Sequence, residues 1–401
     1  MSKTFHPDST HIDTDLVRSA YLHVPFCRHR CGYCNFNLVA NRDDLIEQYL
    51  QAIEMELAGI LQIPRPMDTI YLGGGTPSHL SPDQLGRLVE SVRRWLVPAS
   101  YPEITCEMNP LDCTRDRLQV LRDHGINRIS LGGQSFSDSK LRVLERDHSG
   151  AQLIESLDVC SQFFDNISLD LIFAAPGESE SDWKNDVAQA IQLDAISHLS
   201  TYGLTVERGS AFFGRTLRQE LTEVDSDTQH EMYCHVIDAL TSHDWEHYEV
   251  SSFARHGARS RHNETYWLGN PWWAFGPGAA SFLPLRSASV CSGPKSHLRC
   301  TNHGSTSTYL KQVLSGQSAV QECDQVELEQ YLRERFVFGM RRMEGVCLDQ
   351  LSQEWNGPFR EQLEPKLSQY IHDGYFEERG SRVSLTRRGL LISDSLWPDF
   401  L

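Results

Sequence analysis

The stretch "CRHRCGYCNFN", Cys27 to Asn37, decides how the rest of the chain is read. It sets three cysteines in the spacing C-x3-C-x2-C and offers no fourth. Thiolates are soft ligands that suit zinc or iron–sulfur clusters. A structural zinc site closes four ligands around one ion, so Cys27, Cys31 and Cys34 would need His23 or His29 to complete a Cys3His set. An iron–sulfur cube asks for less, because three protein-held irons leave a fourth open to a small molecule. Spacing alone leaves both readings open.

Around this loop the chain alternates short apolar runs with amphipathic stretches. "SAYLHV", "DTIYL", "EITCEM", "NRISLG", "ISLDLIF" and "ISHLSTYGL" read as buried strands. Helical patterns fall between them. Ser81 suits an N-cap and Pro82 a first turn, and Leu85, Leu88, Val89, Val92, Trp95 and Leu96 form one stripe. Thr114–His124, with Gly125 placed to stop it, and the segments 152–164 and 182–193 repeat the scheme. Six strand–helix units of this kind predict a parallel sheet forming a barrel or an incomplete one, with its chemistry on the loops after the strands. The candidate residues fall there. Cys27 follows the first strand, Gly73–Pro77 the second, Glu107 ends the third, Gln134 follows the fourth and Asp170 lies in the fifth.

The 401 residues carry a net charge of −17, which argues against a nucleic-acid partner. The polar start lacks an apolar targeting core and no long apolar run occurs, so the expected location is the cytoplasm. In that compartment the eleven cysteines are expected to stay reduced, with those outside the cluster loop packed in the core. Four parts are expected: a flexible segment 1–18, a barrel over 19–210, an extension over 211–310 and a C-terminal domain over 325–401. A loop region, Pro284 to Ser307, is expected before the last part. Short strands about Gly380, with helices on either side, predict a small α+β winged-helix-like domain that packs on the barrel.

"YLHVPFCRHRCGYCNFN", "YLGGGTPS", "CEMNP", "RISLGGQSF" and "LDLIFAAPGE" together resemble the radical S-adenosylmethionine (SAM) superfamily, and within it the coproporphyrinogen III dehydrogenase group. The resemblance implies an α/β fold built on a partial (β/α)6 barrel. It also implies a [4Fe–4S] cluster on Cys27, Cys31 and Cys34, whose open iron chelates the amino and carboxylate groups of SAM. In that superfamily an electron from the cluster cleaves a carbon–sulfur bond to give a 5′-deoxyadenosyl radical. Position by position, Tyr21 is similar to the tyrosine that packs on SAM. Gly74, Gly75 and Thr76 are similar to the turn that meets the methionine moiety, and Glu107, Gln134, Arg146 and Asp170 to further cofactor-binding positions.

Past the barrel, "HYEVSSFARHGARSRHNETYWLGNPWWAFGPGAASF" (His247–Phe282) resembles the heme-chaperone branch of that group, whose hallmark HNxxYW reads here "HNETYW". Dehydrogenases of the group usually carry a further cysteine where this chain has Phe36. The resemblance implies heme binding at His262, with Tyr266, Trp267, Trp272 and Trp273 facing the porphyrin and Arg255, Arg259 and Arg261 pairing with its propionates. It implies transfer to a heme acceptor protein, which a membrane can carry, and an electron donor such as a flavodoxin or ferredoxin. The alternatives are oxygen-independent coproporphyrinogen III oxidation and a Cys3His zinc protein without redox chemistry. Two stretches depart from the family pattern: "AAPGES" (Ala174–Ser179) replaces "GLPGQT", and "GPGAAS" (Gly276–Ser281) lacks the histidine of "GxGAHG".

Overall fold

Alternate residues of the buried strands do different jobs, and this sets the architecture. In the fourth barrel strand Arg128, Ser130, Gly132 and Gln134 point to one side, into a cavity. Ile129 and Leu131, between them, enter the hydrophobic core. Side chains of a strand alternate with period two, so one face of this sheet is polar and the other is greasy enough to seat helices. The computed structural model describes residues 12–255, 257–286 and 296–401.

Six strands form the expected parallel series: β1 (Ser19–Val24), β2 (Arg65–Gly74), β3 (Leu96–Met108), β4 (Arg128–Gln134), β5 (Ile167–Phe173) and β6 (His198–Gly203). They neighbour one another in chain order. Helices cross over between them: α1 (Ile46–Leu61), α2 (Pro82–Trp95), α3 (Arg115–Asp123), α4 (Gly150–Ser161) and α5 (Glu180–Gln192). Ser81, Ser149 and Ser179 each cap a helix by accepting from the backbone N–H three residues on, and the side chain there returns the bond.

The sheet does not stop at the sixth strand. It continues through β7 (Glu246–Glu249), β8 (Ser252–Ala254), β9 (Trp272–Phe275), β10 (Ala280–Pro284), β11 (Ser296–Asn302) and β12 (Val320–Glu327). The twelve strands run in the order β12-β11-β10-β9-β1-β2-β3-β4-β5-β6-β8-β7. β9 joins β1 in parallel, while β8 closes on β6 antiparallel. The barrel and its extension therefore share one sheet. The loop expected over Pro284 to Ser307 contains β11, flanked on the described side by helix Thr306–Leu314.

Two further expectations are corrected. Cys300 and Cys323 face each other in register on β11 and β12, with Cα atoms 4.1 Å apart, and form a disulfide. Scattered positions in sequence do not reveal such a register. Cys234 and Cys347 are partly exposed instead of packed in the core, and Cys291 lies outside the described residues. Of the segment expected to be flexible, residues 1–11 also lie outside the described residues. Within Ile12 to Arg18, Ile12, Thr14 and Val17 are buried while Asp15 and Leu16 are exposed; Ile12 bridges Leu285, and Arg18 pairs with Asp68 at 2.9 Å.

The C-terminal part is the small α+β unit expected, with one strand more than its sequence suggested. Phe376–Arg379 and Arg382–Leu385 make a hairpin at Gly380, and Val346–Cys347 adds a third antiparallel strand. Helices Leu328–Gly339, Leu348–Trp355 and Lys366–His372 complete it.

Candidate functional site

The polar face of β2 to β6 encloses a cavity of about 480 Å³, open at the strands' C-terminal ends. The cysteine loop forms its rim. A two-residue ladder, Phe26–Cys27 against Val39–Ala40, closes the base of that loop, and Cys34 N–H donates to Cys31 O at 3.1 Å. Cys27, Cys31 and Cys34 all line the cavity. Arg146 reaches across from beyond β4, its Nη1 3.6 Å from Cys31 Sγ and its Nη2 donating to Gly132 O at 2.7 Å. Thr76 Oγ1 lies 3.0 Å from Cys27 Sγ. Burial pushes the Cys27 thiol up to about 11 and raises Cys34 as well. A bare thiolate is costly there, and metal bound to the loop would reverse that cost.

Two observations test which metal group fits. Among the described residues, no three of the His, Cys, Asp and Glu side chains gather tightly enough to hold a single ion. A cube takes each thiolate at a separate corner and so asks for less convergence than one tetrahedral ion does. The histidines available to a Cys3His set already have hydrogen-bond partners. His23 Nε2 donates to Asn37 O at 2.6 Å while its Nδ1 meets the Tyr21 hydroxyl at 3.1 Å. His29 Nε2 bonds Glu145 O at 2.7 Å and also lies 3.7 Å from Cys31 Sγ. The residues present fit a three-cysteine cluster better than a structural zinc.

Below the rim, Gly74 and Gly75 hold a turn that no side chain could occupy. Gly74 has φ of 113°, and a Cβ on it would fall 2.5 Å from His23 Nδ1. A Cβ on Gly75 would fall 2.8 Å from the Phe26 carbonyl. Glu107 braces this turn, accepting from Gly74 N at 3.0 Å and from the Tyr71 hydroxyl at 2.8 Å. Burial, with the Asp170 charge adding to it, pushes the Glu107 carboxyl up to about 7. Burial likewise pushes Asp170 up to about 6. Gln134 ends β4 at φ 66°, a left-handed conformation unusual for a residue with a side chain. Gly74, Gly75, Thr76, Glu107, Gln134, Arg146 and Asp170 thus meet the three cysteines around one cavity, although they come from separate strand ends. Tyr21 stands just behind, its ring 6.1 Å from Tyr71 and stacked on it. Ala174, where the family pattern has glycine, also keeps a positive φ of 61°, a strain of about 1 kcal/mol.

The segment around HNETYW is placed differently from the expectation. Helix α6 (Arg261–Trp267) plugs the opposite, N-terminal end of the barrel. Glu103 accepts from the backbone N–H groups of Arg261 and His262, and Ser19 bonds Thr265 at 2.9 Å. His262 is 1% exposed; Thr69 bonds its Nδ1 at 2.9 Å and Tyr266 its Nε2 at 2.8 Å. Neither ring nitrogen is free for iron, and burial pulls its pKa down to about 3. His262 thus stands in this structure as a buried, doubly hydrogen-bonded residue of the helix plug. The neighbouring aromatics are engaged too: Trp272 Nε1 donates to Ala280 O at 2.8 Å, and Arg341 covers Trp267. Arg259 is held by Glu246, Glu264 and Glu344, Arg255 stacks on Trp245, and Arg261 donates to Tyr101 O.

Sequence reasoning missed Tyr71, Arg128, Ser130 and Tyr202, all of which line the cavity. The signal was present: each occupies the same alternate register as a recognised residue of its strand or of the strand beside it. A charged Arg128 inside "NRISLG" is the plainest case.

With this geometry in place, the chain belongs to the radical SAM superfamily. The family model described as "Radical SAM superfamily" matches residues 21–190, and "HemN C-terminal domain" matches 326–392. Among its relatives, the heme chaperone HemW of Bacillus subtilis (strain 168) is 31% identical over 96% of this chain and 99% of its own length. HemW of Lactococcus lactis (strain IL1403) is 30% identical over 96% and 97%. A mitochondrial radical S-adenosyl methionine domain-containing protein 1 of Danio rerio is 30% identical over 96% and 86%. In fold, the chain is similar to coproporphyrinogen III oxidase (HemN) from Escherichia coli, with a TM-score of 0.81 over 97% of this chain and 91% of that one at 20% identity. The superfamily implies the [4Fe–4S] cluster and SAM. Among the described residues, no helix is long and apolar enough to cross a membrane.

Proposed function

We propose that this protein is a cytoplasmic heme chaperone: it binds heme, carries a [4Fe–4S] cluster with SAM, and hands the heme to an acceptor protein. The observation that carries the reading is Phe36. It stands two residues after the last cluster cysteine and is 58% exposed at the cavity rim. An exposed aromatic there offers a flat apolar surface to a porphyrin, where the dehydrogenase pattern has a further thiol. The full-length likeness to chains named heme chaperone HemW supports it.

Bound on Cys27, Cys31 and Cys34, the cluster would supply an open iron for SAM and an electron. The chain's own residues would do the rest. Arg146 sets a positive charge against the thiolate side, and Gly74 and Gly75 present bare backbone to the methionine moiety. Glu107 fixes that backbone, and Gln134 and Asp170 offer polar groups deeper in. Arg28 and Arg30 stand exposed on the cluster loop and suit an acidic electron donor of the flavodoxin or ferredoxin kind.

Coproporphyrinogen III turnover is the test. Incubated anaerobically with that substrate, SAM and reductant, the reconstituted protein is expected to form no protoporphyrinogen, as judged by chromatography of the porphyrins. Product formed over many turnovers would put coproporphyrinogen oxidation in place of the chaperone reading.

A further inference from the structure

The floor of the cavity holds a buried cation that the SAM site does not use. Arg128 opens β4, whereas Gln134 closes it beside the cysteines; six residues of extended strand separate them by roughly 20 Å. Arg128 is 1% exposed and lines the cavity. Its Nη1 donates to two neutral acceptors, Asn166 Oδ1 at 2.8 Å and Ala258 O at 3.0 Å. Its Nη2 is buried and has no partner. A guanidinium keeps its charge at any ordinary pH, so this donor cannot be silenced by losing a proton. Buried polar groups without a partner are rare, and one on a residue that lines a cavity points to a ligand.

The surroundings say what kind. Ser130, Ser168 and Ser200 line the same region, and Asn263 reaches it from the plugging helix α6. His198 offers no negative charge: Ser168 bonds its Nδ1 at 2.7 Å, Tyr248 bonds its Nε2 at 2.8 Å, and burial keeps the ring neutral. The acid nearest in influence is Asp170, whose carboxyl is drawn toward the charged form by Arg128 without bonding it. Ser130 and Ser200 bond Asp170 and Ser168 bonds His198, so the group left to receive a carboxylate is the unpaired guanidinium donor.

The geometry points to a second ligand subsite at the barrel floor, in which Arg128 binds a carboxylate group. The carboxylate belongs either to a free short-chain acid or to a propionate arm of a porphyrin. The subsite stands apart from the heme reading, because it is built from Arg128 and its neighbours alone.

Calorimetric titration of the full-length reconstituted protein separates the cases. Two pairs of probes are compared: propionate with propionamide, and mesoporphyrin with its dimethyl ester. The wild type is expected to prefer the acid of at least one pair by about tenfold or more, the scale of a charge-assisted hydrogen bond. Preference confined to the porphyrin pair assigns the arm; preference for propionate assigns the free acid. Arg128→Met, checked for folding by its melting curve, is expected to abolish the preference. Equal binding of acid and neutral probe in both wild-type pairs overturns the subsite, and so does a preference that survives in folded Arg128→Met. The wild-type comparison decides even if that variant does not fold, and either result leaves heme affinity to be judged separately.

Discussion

Anaerobic reconstitution with iron and sulfide is expected to give a brown protein holding about four irons per chain, and Cys31→Ala to lose nearly all of them. The expectation rests on how little redundancy the loop has. Three thiols line the rim, and the next cysteines along the barrel, Cys106 and Cys113, are buried in the core. Arg146 Nη1 stands beside Cys31, so removing that thiol would also leave a buried guanidinium facing an empty corner. Iron and acid-labile sulfide assays check the result. Cys347→Ala, in the C-terminal domain, is the control and should hold iron like the wild type. A colourless protein with one zinc, in wild type as purified and as reconstituted, would contradict the cluster assignment.

His262→Ala is expected to lower stability by about 2–4 kcal/mol. Two buried hydroxyls, on Thr69 and Tyr266, each lose a partner. The missing ring, stacked 5.0 Å from Tyr71, also leaves a void between that residue and Tyr266. Chemical denaturation measures the loss. Its pH dependence identifies the cause. Burial holds the folded imidazole neutral down to about 3, while an unfolded one takes a proton near 6.5. Between those values the unfolded chain binds more protons, so the stability that His262 contributes falls as the pH falls. The gap between wild type and variant should therefore be widest above about pH 6.5 and narrow below it. A variant as stable as the wild type, with heme binding selectively lost, would restore His262 as a ligand.

Much of the fold was legible because the six barrel strands carry their apolar residues in short runs punctuated by capped helices. Ser81 and Gly125 mark their helix ends as chemistry requires. The extension was less legible. That β9 pairs with β1, some 250 residues earlier in the chain, depends on register between distant strands, and that Cys300 meets Cys323 depends on the register of two neighbouring ones. Local periodicity carries no such information. At the site, the cysteines and Gly74–Thr76 were legible through their resemblance, in order and together, to the superfamily's motifs, since spacing alone left other uses open. His262 was less legible for the converse reason: a histidine between aromatics suits a heme pocket and a helix plug equally well in sequence. Only its two bonded ring nitrogens separate the two. Arg128 went unnoticed inside an apolar run, although its alternate register with Gln134 placed it on the cavity side.

The central claim is that the protein carries heme, and hemin titration of the anaerobically reconstituted, SAM-loaded full-length chain tests it most directly. A Soret band that saturates near one heme per chain, and that moves to an apo-heme protein added in excess, is the expected result. Hemin that gives no saturable band, or a bound heme that never leaves for the acceptor, would contradict it.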